Sequence, residues 1–78
     1  MPKLPRVKVS VLIKFVESHG FVEAKHKGTS HVIFKHRDGR RTTIAIHGNK
    51  EIPIGTMHAI LRDIEISRDI FIEYIENN

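Results

Sequence analysis

The sequence predicts a two-layer α+β domain in which helices cover one face of a three-stranded antiparallel sheet and leave the other face open. Three observations carry that reading. Apolar residues recur at helical spacing in separate segments near 12–16, 57–64 and 70–75. Two alternating runs, 30–36 and 40–47, are joined by Arg37-Asp38-Gly39 and read as a β-hairpin. The chain is 78 residues long, which allows one domain, 1–78. A domain of that size buries only about 60% of its unfolded surface, so its stability is modest and sensitive to partners.

Taken in order, residues 1–9 carry Pro2 and Pro5 and form an extended lead-in. Ser10 suits the N-cap of a helix running to about His19, with Leu12, Phe15 and Val16 on its apolar face. Gly20 stands where a left-handed C-cap is needed, and Phe21 can pack back on the helix. A short strand is expected over Phe21–His26, followed by the hairpin.

The hairpin register follows from hydrophobic patterning. A two-residue Asp38-Gly39 loop would set Ile33 opposite Ile44 and split the apolar residues between faces. A three-residue loop, with Gly39 in the left-handed position of a bulged turn, sets Val32 opposite Ile44 and Phe34 opposite Thr42. That register gathers Val32, Phe34, Ile44 and Ile46 on one buried face, so it is the one expected. The open face then carries His31, Ile33, Lys35, Arg41, Thr43, Ala45 and His47, while His36 points the other way. Residues 48–54 form a connection. A second helix starts at Gly55-Thr56, with Met57, Ile60, Leu61 and Ile64 as its apolar stripe. Ser67 caps a last helix with Asp69 in its first turn, and Ile70, Phe71, Tyr74 and Ile75 form its apolar side.

Lys and Arg number 13 against 9 Asp and Glu, a formal net charge of +4 with His neutral. The basic residues concentrate at 3–8, 25–27, 35–41 and 50, and most acids fall within 63–76. That asymmetry favours a polyanion on one surface. There are no cysteines, which removes disulfides and thiolate metal sites and fits a reducing compartment. No apolar run is long enough for a membrane span or a signal-peptide core, so a soluble, cytoplasmic protein without membrane association is expected.

The chemistry-bearing stretch is Lys25-His26-Lys27-Gly28-Thr29-Ser30-His31 at the entry to the hairpin. Glycine lets the backbone approach a ligand, hydroxyls and lysines suit a phosphate, and histidine moves protons near neutral pH. RNA phosphodiester cleavage needs no metal if a base takes the 2′-hydroxyl proton and cations stabilise the charged phosphorane. His31 fits the first task. Lys25, Lys27, Gly28, Thr29, Ser30, Lys35, Arg41 and His47 are the candidates for holding substrate. The bland reading of His31 is an exposed strand histidine with no role. A metal site is the competing use of six histidines. His26, His31 and His36 recur every five residues, but strand alternation sends neighbours in that series to opposite faces, and no HExxH or carboxylate cluster accompanies them. No metal or cofactor is therefore expected. A serine-nucleophile site lacks an evident carboxylate to orient a base.

The ordered set Gly28-Thr29-Ser30-His31, a strand, Asp38-Gly39-Arg40-Arg41, a strand ending in His47-Gly48-Asn49-Lys50-Glu51-Ile52, then Gly55-Thr56-Met57 and Ile60-Leu61, resembles the HicA (YcfA-like) toxins, small mRNA interferases of bacterial and archaeal toxin–antitoxin pairs. The similarity runs from about residue 6 to 75. The resemblance implies a double-stranded-RNA-binding-domain type of fold, metal-independent endoribonuclease activity on mRNA, a catalytic histidine matching His31, and a HicB-type antitoxin that covers the active face. Two departures stand out. Ala45 occupies a third-strand position where the family often has proline, and Ile64-Glu65-Ile66 replaces its usual glycine after the second helix. Two other readings stay open: a non-catalytic RNA-binding module of the same fold, and an interaction domain whose basic surface meets only an acidic protein.

Overall fold

Among the described residues, eighteen apolar side chains form one buried cluster, led by Phe15, Phe21, Phe34 and Phe71. The computed structural model describes residues 3–24, 30–46 and 48–77. Its elements are α1 (Val9–Ser18), β1 (Val22–Glu23), β2 (His31–Lys35), β3 (Arg41–Ala45), α2 (Ile54–Ile64) and α3 (Arg68–Glu76). The three strands form one antiparallel sheet in the order β1-β2-β3. This is the α+β architecture read from the sequence, an α-β-β-β-α order with a further C-terminal helix.

Patterning alone set the hairpin correctly. Val32 pairs with Ile44, Phe34 with Thr42 and His31 with Ala45. Gly39 sits at φ +101° and supplies the left-handed turn residue. Val32, Phe34 and Ile44 are buried against the helices, and Ile46 is half-buried. Thr42 shares that face and remains satisfied because its hydroxyl donates to Asp63 Oδ2 at 3.0 Å.

β2 spans 31–35 within the expected 30–36, β1 begins at Val22, and the expected strand ends at Lys25-His26 and His47 lie outside the described residues. Phe21 belongs to the end of α1 rather than to β1. Gly20, at φ +90°, donates its N–H to Glu17 O, and Phe21 donates to Val16 O, both at 3.1 Å. That pair of bonds is a Schellman motif, and it drives the Phe21 ring into the core. A Cβ on Gly20 would lie 2.9 Å from Nε2 of His36. The ring of His36 packs edge-on against Phe21 with centroids 5.0 Å apart. His36 therefore points to the helix side, as the register requires.

Ser10 is not the cap of α1. Lys8 holds the N-cap position in extended conformation and makes no side-chain cap bond. The first turn is satisfied from a distance: Ser10 N–H donates to Asn49 Oδ1 at 3.1 Å and Val9 N–H to Lys50 O at 3.0 Å. Ile52 N–H bonds Val7 O at 2.9 Å and Lys8 bridges Glu51, so residues 49–52 strap the start of α1. Ser67 does cap α3, accepting from Ile70 N–H at 3.3 Å with Asp69 in the first turn. The buried side of α3 differs from expectation. Phe71 and Ile72 are buried, Tyr74 and Ile75 are half-buried, and Ile70 is 47% exposed.

The end of α2 stores a small strain. Glu65 takes φ +58°, a left-handed conformation that favours glycine, at the place where the sequence lacks one. Glu65→Gly is expected to stabilise the fold by about 0.5–1 kcal/mol, the left-handed cost less the extra chain entropy of glycine. Urea unfolding checks this, and a midpoint lower than wild type would contradict it.

Candidate functional site

The sheet face turned away from the helices is built by strand alternation. With Val32, Phe34, Thr42 and Ile44 committed to the core, His31, Ile33 and Lys35 of β2 and Arg41, Thr43 and Ala45 of β3 must face outward. All but the half-buried Ile33 are exposed. Val22 of β1 pairs with Lys35, and Ala24 N–H bonds Ile33 O at 2.7 Å, which continues the same face across β1.

His31 stands at one end of this face, directly opposite Ala45. The pairing continues one step beyond the strands, since Ile46 N–H donates to Ser30 O at 2.6 Å. The backbone on both sides of His31 is thereby fixed to β3, and both Ser30 and His31 make interactions of their own. A histidine held this way presents its ring to solvent from a rigid strand rather than from a loop.

At the other end of the face Lys35 lies directly opposite Arg41. Two cations in a cross-strand pair repel each other and cost stability. Four strand steps separate Lys35 from His31, about 13 Å at about 3.3 Å per residue. Lys35 and Arg41 therefore share the face of His31 without reaching the atoms beside its ring.

Lys25, Lys27, Gly28, Thr29 and His47 lie outside the described residues, as does His26. Ser30, half-buried, is the part of the expected phosphate loop that the structure describes. The remaining histidines sort cleanly. His19 packs on Phe15 with centroids 4.7 Å apart, His36 packs on Phe21, and His58 is exposed on α2. Among the described residues, no three His, Cys, Asp or Glu side chains gather into a metal-ligand group.

Arg40, counted with the basic cluster of the hairpin, is a structural bolt. Its Nε donates to Asp38 Oδ2 at 2.8 Å, its guanidinium lies 5.2 Å over the Phe21 ring, and its Nη1 donates to the Ile64 carbonyl at the end of α2. The backbone N–H of Arg40, 3.0 Å from Asp38 Oδ1, holds that carboxyl below its ordinary pKa, and the guanidinium acts in the same direction. Arg40 thus ties the hairpin turn to α2, and Arg41 alone of this pair faces outward. The sequence missed Asn49, whose side chain works on a helix 39 residues away. Its only signal was its place in the Gly48-Asn49-Lys50-Glu51 motif.

No helix among the described residues is long and apolar enough to cross a membrane. A family model described as the HicA toxin of bacterial toxin–antitoxin systems matches residues 9–66, which hold α1, the whole sheet and α2. No curated protein matches the chain.

Proposed function

Because the chain belongs to the HicA toxin family, and so is the toxin of a toxin–antitoxin pair, we propose that it is a metal-independent endoribonuclease that cleaves mRNA with His31 as general acid–base. The observation that carries this reading is the position of His31. It is exposed at the end of a paired strand, on the same face as the repelling Lys35–Arg41 pair.

In the proposed step the neutral imidazole of His31 takes the proton from a ribose 2′-hydroxyl. The 2′-oxygen bonds to phosphorus and the bond to the 5′-oxygen breaks, leaving a 2′,3′-cyclic phosphate and a 5′-oxyanion that takes a proton from solvent to become the 5′-hydroxyl, while the imidazolium returns its proton to solvent. Lys35 and Arg41 hold phosphates next to the cut. Lys25, Lys27, Gly28, Thr29, Ser30 and His47 are proposed to cradle the reacting phosphate through backbone N–H groups, hydroxyls and cations. No metal or other cofactor enters this scheme. The proposed protein partner is a HicB-type antitoxin lying over the open sheet face, in the cytoplasm.

Incubating the purified protein with RNA in excess chelator tests the reading. Cleavage to cyclic-phosphate ends is expected, and a substrate with 2′-deoxyribose at the cut position should stay intact. Cleavage of the deoxy-substituted position, or RNA retained without any cleavage, would contradict it. The second outcome would mark a non-catalytic RNA-binding module of this fold.

A further inference from the structure

A second basic feature lies away from the sheet face. The N-terminal segment, α1 and α3 enclose a groove of about 510 Å³, lined by Arg6, Lys8, Lys14, Val11, Tyr74 and Ile75 among others. Its size falls within the range of about 300–1,000 Å³ typical of ligand clefts. Arg6, Lys8 and Lys14 are exposed, and the one carboxylate in the lining is Glu51. Val11, Tyr74 and Ile75 give it an apolar wall. Cations along an apolar, partly aromatic wall are the composition that single-stranded nucleic acid requires.

A second hollow, about 340 Å³, lies between β3, the strap 50–53 and the start of α2. Ala45 lines it, and Ala45 is the residue paired with His31. Glu51 lines both hollows, and Lys50 lines the second. The strap that carries Lys50 and Glu51 thus borders both the hollow beside Ala45 and the groove of Arg6, Lys8 and Lys14. Ala45 and His31 stand at the end of the sheet opposite to Lys35 and Arg41. Of the eight residues lining the groove, Arg6, Val7, Lys8, Tyr74 and Ile75 lie outside the segment that the family model matches, 9–66. The groove is thus built largely by parts of this chain that the family match does not span.

We infer that this groove holds the single-stranded RNA that continues beyond the cut at His31, gripping its phosphates with Arg6, Lys8 and Lys14. The inference rests on the ribonuclease reading of the sheet face. On this view Lys35 and Arg41 hold one side of the substrate and the groove holds the other. RNA fits better than an acidic protein segment because the cations stand along an apolar wall that includes the Tyr74 ring, a combination suited to phosphates and bases together. Glu51 is the one carboxylate among the described residues that line the groove.

The test uses the full chain and fluorescent single-stranded RNAs of one cleavable sequence, four and twelve nucleotides long, made uncleavable for binding by 2′-deoxyribose at the cut. The wild type is expected to bind the longer RNA at least about tenfold more tightly near 0.1 M salt. In the Arg6→Ala/Lys14→Ala double variant that length advantage should largely vanish. Its salt slope for the long RNA should fall by about 1.4, the share of two phosphate contacts on a single strand. Glu51→Gln should move affinity for the long RNA the other way. An unchanged length advantage and slope in the double variant would overturn the inference, while cleavage of the four-nucleotide RNA would leave the His31 reading standing. A double variant that loses affinity for the antitoxin but keeps its full grip on long RNA would also overturn it. Failure of the wild type to bind either RNA would overturn the groove and the ribonuclease reading together.

Discussion

Expression of the His31→Ala variant is expected to leave cells growing where the wild type arrests them. Removing a general acid–base group lowers a reaction rate by about 10²- to 10⁴-fold. The substitution falls on an exposed strand position whose neighbours Val32 and Ile44 carry the packing. Exposed substitutions of this kind usually change stability by no more than about 0.5 kcal/mol. The variant should therefore melt close to the wild type and still retain RNA. Growth arrest at wild-type strength by a variant of normal abundance would remove His31 from the chemistry.

The second large effect is structural. Phe15 is fully buried and meets Phe71 and Tyr74 edge-on, with ring centroids 4.9 and 5.1 Å away, while His19 packs at 4.7 Å. It is the residue that holds α3 against α1. Phe15→Ala is expected to cost about 3–5 kcal/mol through lost burial and the cavity left behind. Small domains have a total stability of roughly 5–15 kcal/mol, and this one is at the small end of the size range. The melting temperature should drop by at least about 12 °C, taking about 4 °C per kcal/mol as the lower bound for this size. This variant is expected to lose function through lost stability, whereas His31→Ala is expected to lose it while folded. Thermal melts by circular dichroism separate the two, and a Phe15→Ala protein that melts within about 5 °C of wild type would contradict the packing account.

What the sequence disclosed follows from the range of the interactions involved. The hairpin register was legible because side chains alternate with a period of two, and a one-residue slip would have turned Val32, Phe34 and Ile44 out to solvent. The Gly20 cap and the Ser67 cap were legible because each acts within a few residues of itself. The start of α1 was not, because its donors are met by Asn49 and the Lys50 carbonyl, far along the chain. The buried side of α3 was ambiguous because Ile70, Phe71, Ile72, Tyr74 and Ile75 surround the helix. Contact with Phe15 of α1 decides it.

The site divides in the same way. That His31 shares a face with Lys35 and Arg41 was readable from strand parity. That these cations sit about 13 Å from it depends on the rise along the strand. A count of charges does not convey it. Arg40 and Arg41, adjacent and identical in sequence, separate into a bolt on α2 and an outward cation only through the alternation of the paired strand. The groove of Arg6, Lys8 and Lys14 joins residues of the lead-in to α1 and α3, a tertiary fact that no local pattern announces.

The central claim is that His31 carries out RNA cleavage without a metal. Its most direct test is the single-turnover cleavage rate at saturating RNA in chelator, measured for the wild type and for His31→Ala with equal melting temperatures verified beforehand. The account predicts cleavage by the wild type and a rate lower by about 10²- to 10⁴-fold in the variant. A variant that cleaves at the wild-type rate, or a folded wild type that cleaves nothing until a metal is added, would contradict it.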